Sequence, residues 1–254
     1  MLNIHLVPCL KDNYAYLVHE PQSNAVAIVD PSEAAPVLEA LKKYQLKLTH
    51  IFNTHHHWDH TGGNVELKKE TGAKVTGPKH DADRIPGIDI GVAEGDTVEL
   101  GRAHAQILDI PAHTKHHIAF WFGDANAVFT GDTMFAMGCG RLFEGTPDQM
   151  WKSLNKLAAL PGETRVYCGH EYTLSNGKFA LTVEPNNATL RKRVAEVERL
   201  RADNLPTIPS TIAKERETNP FLRAASRDLR TTLGMPTASD VDVFAETRKR
   251  KDSF

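Results

Sequence analysis

Cysteine is scarce. Cys9, Cys139 and Cys168 are the only three in 254 residues, an odd number with no Cys-x-x-Cys pair. That argues against a disulfide framework and fits a reducing compartment. No apolar run approaches the ~20 residues that a membrane-spanning helix needs. Residues 1–13 hold neither a basic segment before a long apolar stretch nor an Arg-rich stretch. No secretory or transit leader is read there, and a cytoplasmic location is expected. Charge of one sign is also missing. Lys and Arg number 30 against 32 Asp and Glu, a formal charge of −2. This argues against a nucleic-acid partner bound through bulk charge. No internal repeat or low-complexity segment is present. With 41% hydrophobic and 24% charged residues the chain reads as an ordinary globular protein, long enough to bury a core without covalent staples.

Histidine is absent from one part of the chain. All 13 histidines lie in residues 1–170, and none lies in the last 84. Charge divides at the same place. Residues 1–170 carry 15 basic and 20 acidic side chains, and residues 171–254 carry 15 and 12. The first part uses imidazole, and the second leans towards positive charge.

Up to residue 170 the pattern alternates between strands and helices. Strands are expected at Leu2–Val7, Tyr14–Val18, Ala25–Val29, Leu48–Phe52, Lys74–Thr76, Thr97–Leu100, Ala103–Ile110, Ile118–Phe122, Ala127–Thr130 and Arg165–Cys168. Helices are expected at Ala34–Tyr44, Asn64–Thr71 and Pro147–Leu160, the last with Met150, Trp151, Leu154, Leu157 and Ala158 on one face. Such a mixture implies an α/β layered architecture. Beyond Tyr172 the texture becomes helical, over Val183–Asn204 and Thr211–Arg230, with Pro206 and Pro209 between them. Two domains are therefore expected, residues 1–172 and a smaller helical one over 173–254.

The chemistry concentrates in Thr54-His55-His56-His57-Trp58-Asp59-His60, directly after a strand. On an extended loop His55 and His57 would point the same way. Asp59 and His60 would then turn towards a second point before Gly62-Gly63. A solvated histidine-rich loop is the plain alternative. Four ligand-type residues at this spacing outweigh it, because imidazole and carboxylate are the donors that zinc, iron and manganese accept. Three more candidates recur at strand ends, each beside a small residue: His113 after Ala112, Asp132 after Gly131, and His170 after Gly169.

In this order the motifs resemble the metallo-beta-lactamase superfamily. That resemblance implies an αββα sandwich with two divalent metal ions per chain, zinc first and iron or manganese as alternatives. His55, His57 and His113 would hold one ion. Asp59, His60 and His170 would hold the other. Asp132 would bridge them together with a water or hydroxide. Within the superfamily the chain is most similar to the glyoxalase II family, which hydrolyses S-D-lactoylglutathione and related 2-hydroxyacylglutathiones. The similarity rests on Asp12-Asn13-Tyr14, Gly138-Cys139-Gly140-Arg141-Leu142-Phe143-Glu144-Gly145, Cys168-Gly169-His170-Glu171-Tyr172-Thr173 and Lys214-Glu215-Arg216-Glu217-Thr218-Asn219-Pro220-Phe221. It implies attack on the thioester by a metal-bridging hydroxide, with Asp59 and Asp132 as the catalytic carboxylates. The products would be glutathione and a 2-hydroxy acid such as D-lactate, the second step of methylglyoxal detoxification.

The same resemblance implies that Arg141, Phe143, Tyr172, Arg248 and Lys251 contact the glutathione moiety. Phe143 stands where some members carry Tyr, so that hydroxyl contact is missing here. Arg and Lys suit the carboxylates of glutathione, although a basic terminal run such as Arg248–Lys251 is more often solvated. A thiolate leaving group needs no protonated acid beside it, so no Ser or Cys nucleophile is required. Cys139 and Cys168 are read as buried structural residues. The partner is a small-molecule glutathione thioester, with no nucleic acid and no membrane, and the chain is expected to be a monomer. The rivals are a related metallohydrolase for another substrate, a mononuclear iron persulfide dioxygenase, and a non-catalytic binding domain.

Overall fold

The apolar runs that begin the chain fold back on one another as β1 (Asn3–Cys9), β2 (Asn13–Glu20) and β3 (Ala25–Val29). Short turns join them, and they pair antiparallel, Asn3 opposite His19 and Tyr16 opposite Val29. The connections then lengthen. α1 (Ala34–Tyr44) leads to β4 (His50–Phe52), and α2 (Trp58–Thr61) and α3 (Asn64–Thr71) lead to β5 (Lys74–Pro78). With β6 (Ile90–Val92) these strands run parallel to β3. A parallel neighbour is reached only by a crossover that returns along the strand. A second set, β7 (Thr97–Leu100), β8 (Ala103–Asp109), β9 (Ile118–Phe122) and β10 (Ala127–Gly131), pairs antiparallel in sequence order.

This computed structural model describes residues 2–254. The chain divides into two compact units. The first runs up to Asp109 and takes in His116–Gly131, and the second comprises Ile110–Lys115 and Asp132–Phe254.

In the first unit the sheets meet ring on ring. Phe52 stacks on Phe120 with centroids 5.0 Å apart, and Tyr16 meets Phe129 at 5.6 Å. The opposite face of the first sheet is covered by α1 and α3, where Val37, Leu41 and Leu67 pack with Ala15, Leu17, Ile28, Ile51 and Val75. Each such side chain contributes about 1.5–3 kcal/mol by leaving water. Being covered on both faces, β2 reads as a nearly continuous buried run rather than an alternating one.

The second unit holds a short hairpin, β11 (Met134–Phe135) and β12 (Gly138–Cys139), then α4 (Pro147–Ala158) and β13 (Arg165–Cys168). After these come α5 (Thr173–Val183), α6 (Ala188–Ala202), β14 (Ser210–Thr211), α7 (Ile212–Thr218), α8 (Arg227–Leu233) and α9 (Asp240–Asp252). Thr146 and Gln149 form a capping box that starts α4, with Pro147 just inside it. Met137 of the hairpin turn packs with Ala180, Leu190, Val194 and Val197 of α5 and α6.

The class is the expected α/β. Most strands and the helices α1 and α3 fall where the pattern places them, and four differences have physical reasons. The helix expected over Val183–Asn204 is α6, which starts later, because α5 ends at Val183, Pro185 cannot continue it and Asn187 caps a fresh start. The stretch from Thr211 breaks at Asn219-Pro220 in the same way. Residues 58–61, where the chain is expected only to turn, form one helical turn. The terminal basic run belongs to α9, a helix capped by Ser239 with buried Val243, Phe244, Thr247 and Arg248. Among the described residues no helix is long and apolar enough to cross a membrane.

Candidate metal centre

Parallel strands end at a common edge, where loops can present side chains from a rigid base. At that edge of the first unit β3 and β4 finish side by side, with the Asp30 amide donating to the Phe52 carbonyl at 2.9 Å. Asp30 is buried and adopts a left-handed φ of 50°. Its carboxylate accepts the Thr54 amide at 2.8 Å and the Thr54 hydroxyl at 2.7 Å. It also lies 3.2 Å from His60 Nδ1. A carboxylate there holds the ring proton on Nδ1 and leaves Nε2 to bind a cation. That Nε2 sits 3.6 Å from Asp59 Oδ2.

Asp59 is held in turn. Asn13 Nδ2 donates to its carbonyl and to its Oδ2, both at 3.0 Å, and Ser32 Oγ donates to the same carbonyl. His55 is fully buried, with Nδ1 3.0 Å from Thr54 Oγ1 and Nε2 3.1 Å from His57 Nδ1. Its ring lies 4.2 Å from that of His60 and stacks on His117 at 4.5 Å. His56 turns elsewhere and pairs with Asp81 at 3.1 Å. The structure thus gathers His55, His57, Asp59 and His60 and leaves His56 out. Gly131 closes this unit at a φ of 47°, where a Cβ would come within 2.3 Å of Thr54 Oγ1 and 2.7 Å of the His117 ring. Only glycine fits.

The second unit assembles His113, Asp132 and His170. One Asp132 oxygen, Oδ2, lies 3.5 Å from His113 Nε2 and 3.2 Å from His170 Nε2. His113 Nδ1 is 2.9 Å from the Arg141 carbonyl oxygen. A carbonyl only accepts, so Nδ1 carries the proton and Nε2 is the ring atom able to bind a cation. Ala112, just before this histidine, is buried at a φ of 128°. A side chain in that conformation costs about 1–3 kcal/mol, the kind of strain found at functional sites. Gly140 packs so tightly that a Cβ would meet the Asp132 carbonyl at 2.0 Å and His113 Nδ1 at 2.9 Å.

The expected substrate residues all lie in this second unit, in different surroundings. Tyr172 stacks on His170 at 4.6 Å, the two rings nearly parallel, and Phe143 leans on His113 at 5.2 Å while 61% exposed. Arg141 keeps its side chain 66% exposed, 3.9 Å from Asp252. Arg248 is buried, donating to the Cys139 carbonyl at 2.8 Å and pairing with Asp252 at 3.0 Å. Lys251 reaches Ser175 at 3.3 Å and lies over the Phe179 and Phe254 rings. Burial lowers its pKa. Burial also pushes the Cys139 thiol up to about 11 and Cys168 to about 12. Neither is a nucleophile near neutral pH.

Sequence reasoning passed over Asp30, Ser32 and His117, and it gave Asn13 no task. A signal for Asp30 existed: it is the first Asp after an apolar strand, the criterion that singled out Asp132.

A model of the metallo-beta-lactamase superfamily matches residues 11–170, and one of the hydroxyacylglutathione hydrolase C-terminus matches residues 171–254. A hydroxyacylglutathione hydrolase from Methylococcus capsulatus is 56% identical over the whole chain and 99% of its own length. The chain belongs to the hydroxyacylglutathione hydrolase family. Solved structures add the fold alone. The B3 metallo-beta-lactamase BLEG-1 matches 87% of this chain and all of its own with a TM-score of 0.67 at 20% identity. ETHE1 from Myxococcus xanthus matches 100% of this chain and 99% of its own, also at 0.67, with 24% identity. The match to the metallo-beta-lactamase superfamily and the His/Asp groups together support a divalent metal centre.

Proposed function

We propose that this chain hydrolyses the thioester of 2-hydroxyacylglutathiones, S-D-lactoylglutathione among them, using two divalent metal ions, zinc first. His55, His57 and His113 hold one ion, Asp59, His60 and His170 the other, and Asp132 bridges. The observation that carries this reading is the orientation of the donors. His60 and His113 each give Nδ1–H to a fixed acceptor, Asp30 and the Arg141 carbonyl, so each offers Nε2. Ligating histidines carry such acceptors, and here each Nε2 also faces a carboxylate, Asp59 for His60 and Asp132 for His113.

When bound, the ions would supply a water acidic enough to ionise near neutral pH and a positive charge for the thioester carbonyl oxygen. The chain's own residues do the rest. Asp59, steadied by Asn13, orients the attacking water, whose oxygen bonds to the thioester carbonyl carbon while its proton passes to solvent. As the C–S bond breaks, its electron pair leaves with sulfur. The parent thiol has a pKa of ~8.5, so the thiolate departs without an acid. Tyr172 presents its phenol beside His170, and Arg141, Arg248 and Lys251 supply positive charge for the two glutathione carboxylates. Phe143 offers a ring edge without a hydroxyl. Residues 173–254 form the glutathione-binding part. Buried free thiols at Cys9, Cys139 and Cys168 suit a cytoplasmic monomer.

The test is to measure metal per chain and follow loss of thioester absorbance with S-D-lactoylglutathione. Hydrolysis with about two ions bound is expected. A metal-loaded chain that leaves the thioester intact sinks the reading, and oxygen consumption with glutathione persulfide would replace it by a dioxygenase.

A further inference from the structure

The hairpin between Asp132 and Arg141 touches all three donors of the second unit. It begins at Asp132. It ends at Arg141, whose carbonyl holds His113. Between them the Phe135 ring stands edge-on to His170 at 6.0 Å and to Tyr172 at 5.3 Å. Its own ladder is short, Met134 opposite Cys139 and Phe135 opposite Gly138. A two-stranded ribbon of this length is not stable alone, and Met137 at its turn sits at a φ of 54°.

What holds it comes from helices far along the chain. The Glu215 carboxylate in α7 is fully buried, and its Oε2 accepts the Met137 amide at 2.8 Å. Asn219 Nδ2 donates to the Gly138 carbonyl at 2.9 Å, to the Phe135 carbonyl at 3.2 Å and to Glu215 Oε2 at 3.0 Å. Arg193 NH2 donates to Glu215 Oε1 at 2.6 Å, and Ser210 donates to the same oxygen. Asn176 Nδ2 donates to the Ala136 carbonyl at 3.2 Å. The backbone polar groups of the hairpin are therefore tied to side chains of the helical segment.

We propose that Glu215 and Asn219 are positioning residues for the metal centre. They clamp the hairpin so that the Arg141 carbonyl keeps the His113 proton on Nδ1 and aims Nε2 at the ion. The helical segment thus serves the metal as well as the substrate. This rests on the metal-binding reading above.

Zinc affinity, measured by competition with a chromophoric chelator, tests it together with melting of the metal-free chain. Wild type is compared with Asn219→Ala, Glu215→Gln and the control Leu229→Ala, a core deletion in α8. Asn219→Ala and Glu215→Gln should weaken zinc binding about tenfold, the lower end of what losing an outer partner of a ligand does. Leu229→Ala should lower the melting temperature and leave zinc affinity alone. Should Glu215→Gln fail to fold, Asn219→Ala decides by itself. Wild-type zinc affinity in Asn219→Ala overturns the proposal, whatever its melting temperature. So does an equal loss in Leu229→Ala. A wild-type chain that binds no zinc, iron or manganese overturns the metal-binding reading first, and this one with it.

Discussion

His55, His57, Asp59 and His60 come from one six-residue stretch, whereas His113, Asp132 and His170 lie far apart in the chain. The first group is steadied by side chains: Asp30 on His60, and Asn13 and Ser32 on Asp59. The second is steadied by the main-chain carbonyl of Arg141, by the single Asp132 oxygen between two rings, and by the stacked ring of Tyr172. A side-chain partner is lost with one substitution. A main-chain partner is lost only when the segment carrying it moves. The contiguous group should therefore be vulnerable at its supports, and the dispersed group at its centre and its scaffold.

The largest effect is expected from Asp132→Ala. One oxygen faces both histidines of the dispersed group, so its loss should cut metal content and lower kcat more than about a hundredfold, beyond the loss of an outer partner. Unchanged metal analysis would break the idea that this carboxylate is shared. Asp30→Ala comes next. It strands the Thr54 amide, the Thr54 hydroxyl and His60 Nδ1–H, each unmet buried donor costing about 1–3 kcal/mol. Denaturant midpoints should fall, and zinc affinity should drop about tenfold to a hundredfold. An Asp30→Ala chain as stable as wild type would remove the contrast between the groups.

Arg248→Ala combined with Lys251→Ala should raise KM about tenfold with kcat nearly kept, since charge-assisted hydrogen bonds contribute about 1.5–3 kcal/mol. Because Arg248 also donates to the Cys139 carbonyl, the single Arg248→Ala should melt lower than Lys251→Ala. The reverse order would mean the buried contact contributes little. The smallest effect is none at all. At pH 8 a thiol raised to about 11 is thiolate in only about one part in a thousand, so iodoacetamide should leave native Cys9 and Cys139 unmodified and activity intact.

The contiguous group was legible because spacing is local: four donors after one strand need no fold to be noticed. His113, Asp132 and His170 were legible more weakly, through the recurrence of a donor after an apolar strand. Their supports were not. Nothing in the sequence around Arg141 says that its carbonyl faces His113, because main-chain partners leave no residue-type signature. The fold shows the same limit. Long strands such as β8 and amphipathic helices such as α4 carry enough periodicity to be read, while β6, β11, β12 and β14 are two or three residues long and carry none. α9 was missed because Asp240, Asp242, Glu246 and its basic end mask the buried Val243, Phe244 and Thr247.

Arg141 keeps its main chain and its side chain in different surroundings. Its carbonyl is committed to His113, and its side chain stands 66% exposed in water. Any residue at this position keeps the carbonyl. The character of the rim can therefore change, to a shorter, neutral or acidic group, without disturbing the histidine beneath it. Under the proposed function, selection could retune which acyl or peptide groups are welcomed here and leave the imidazole geometry as it is.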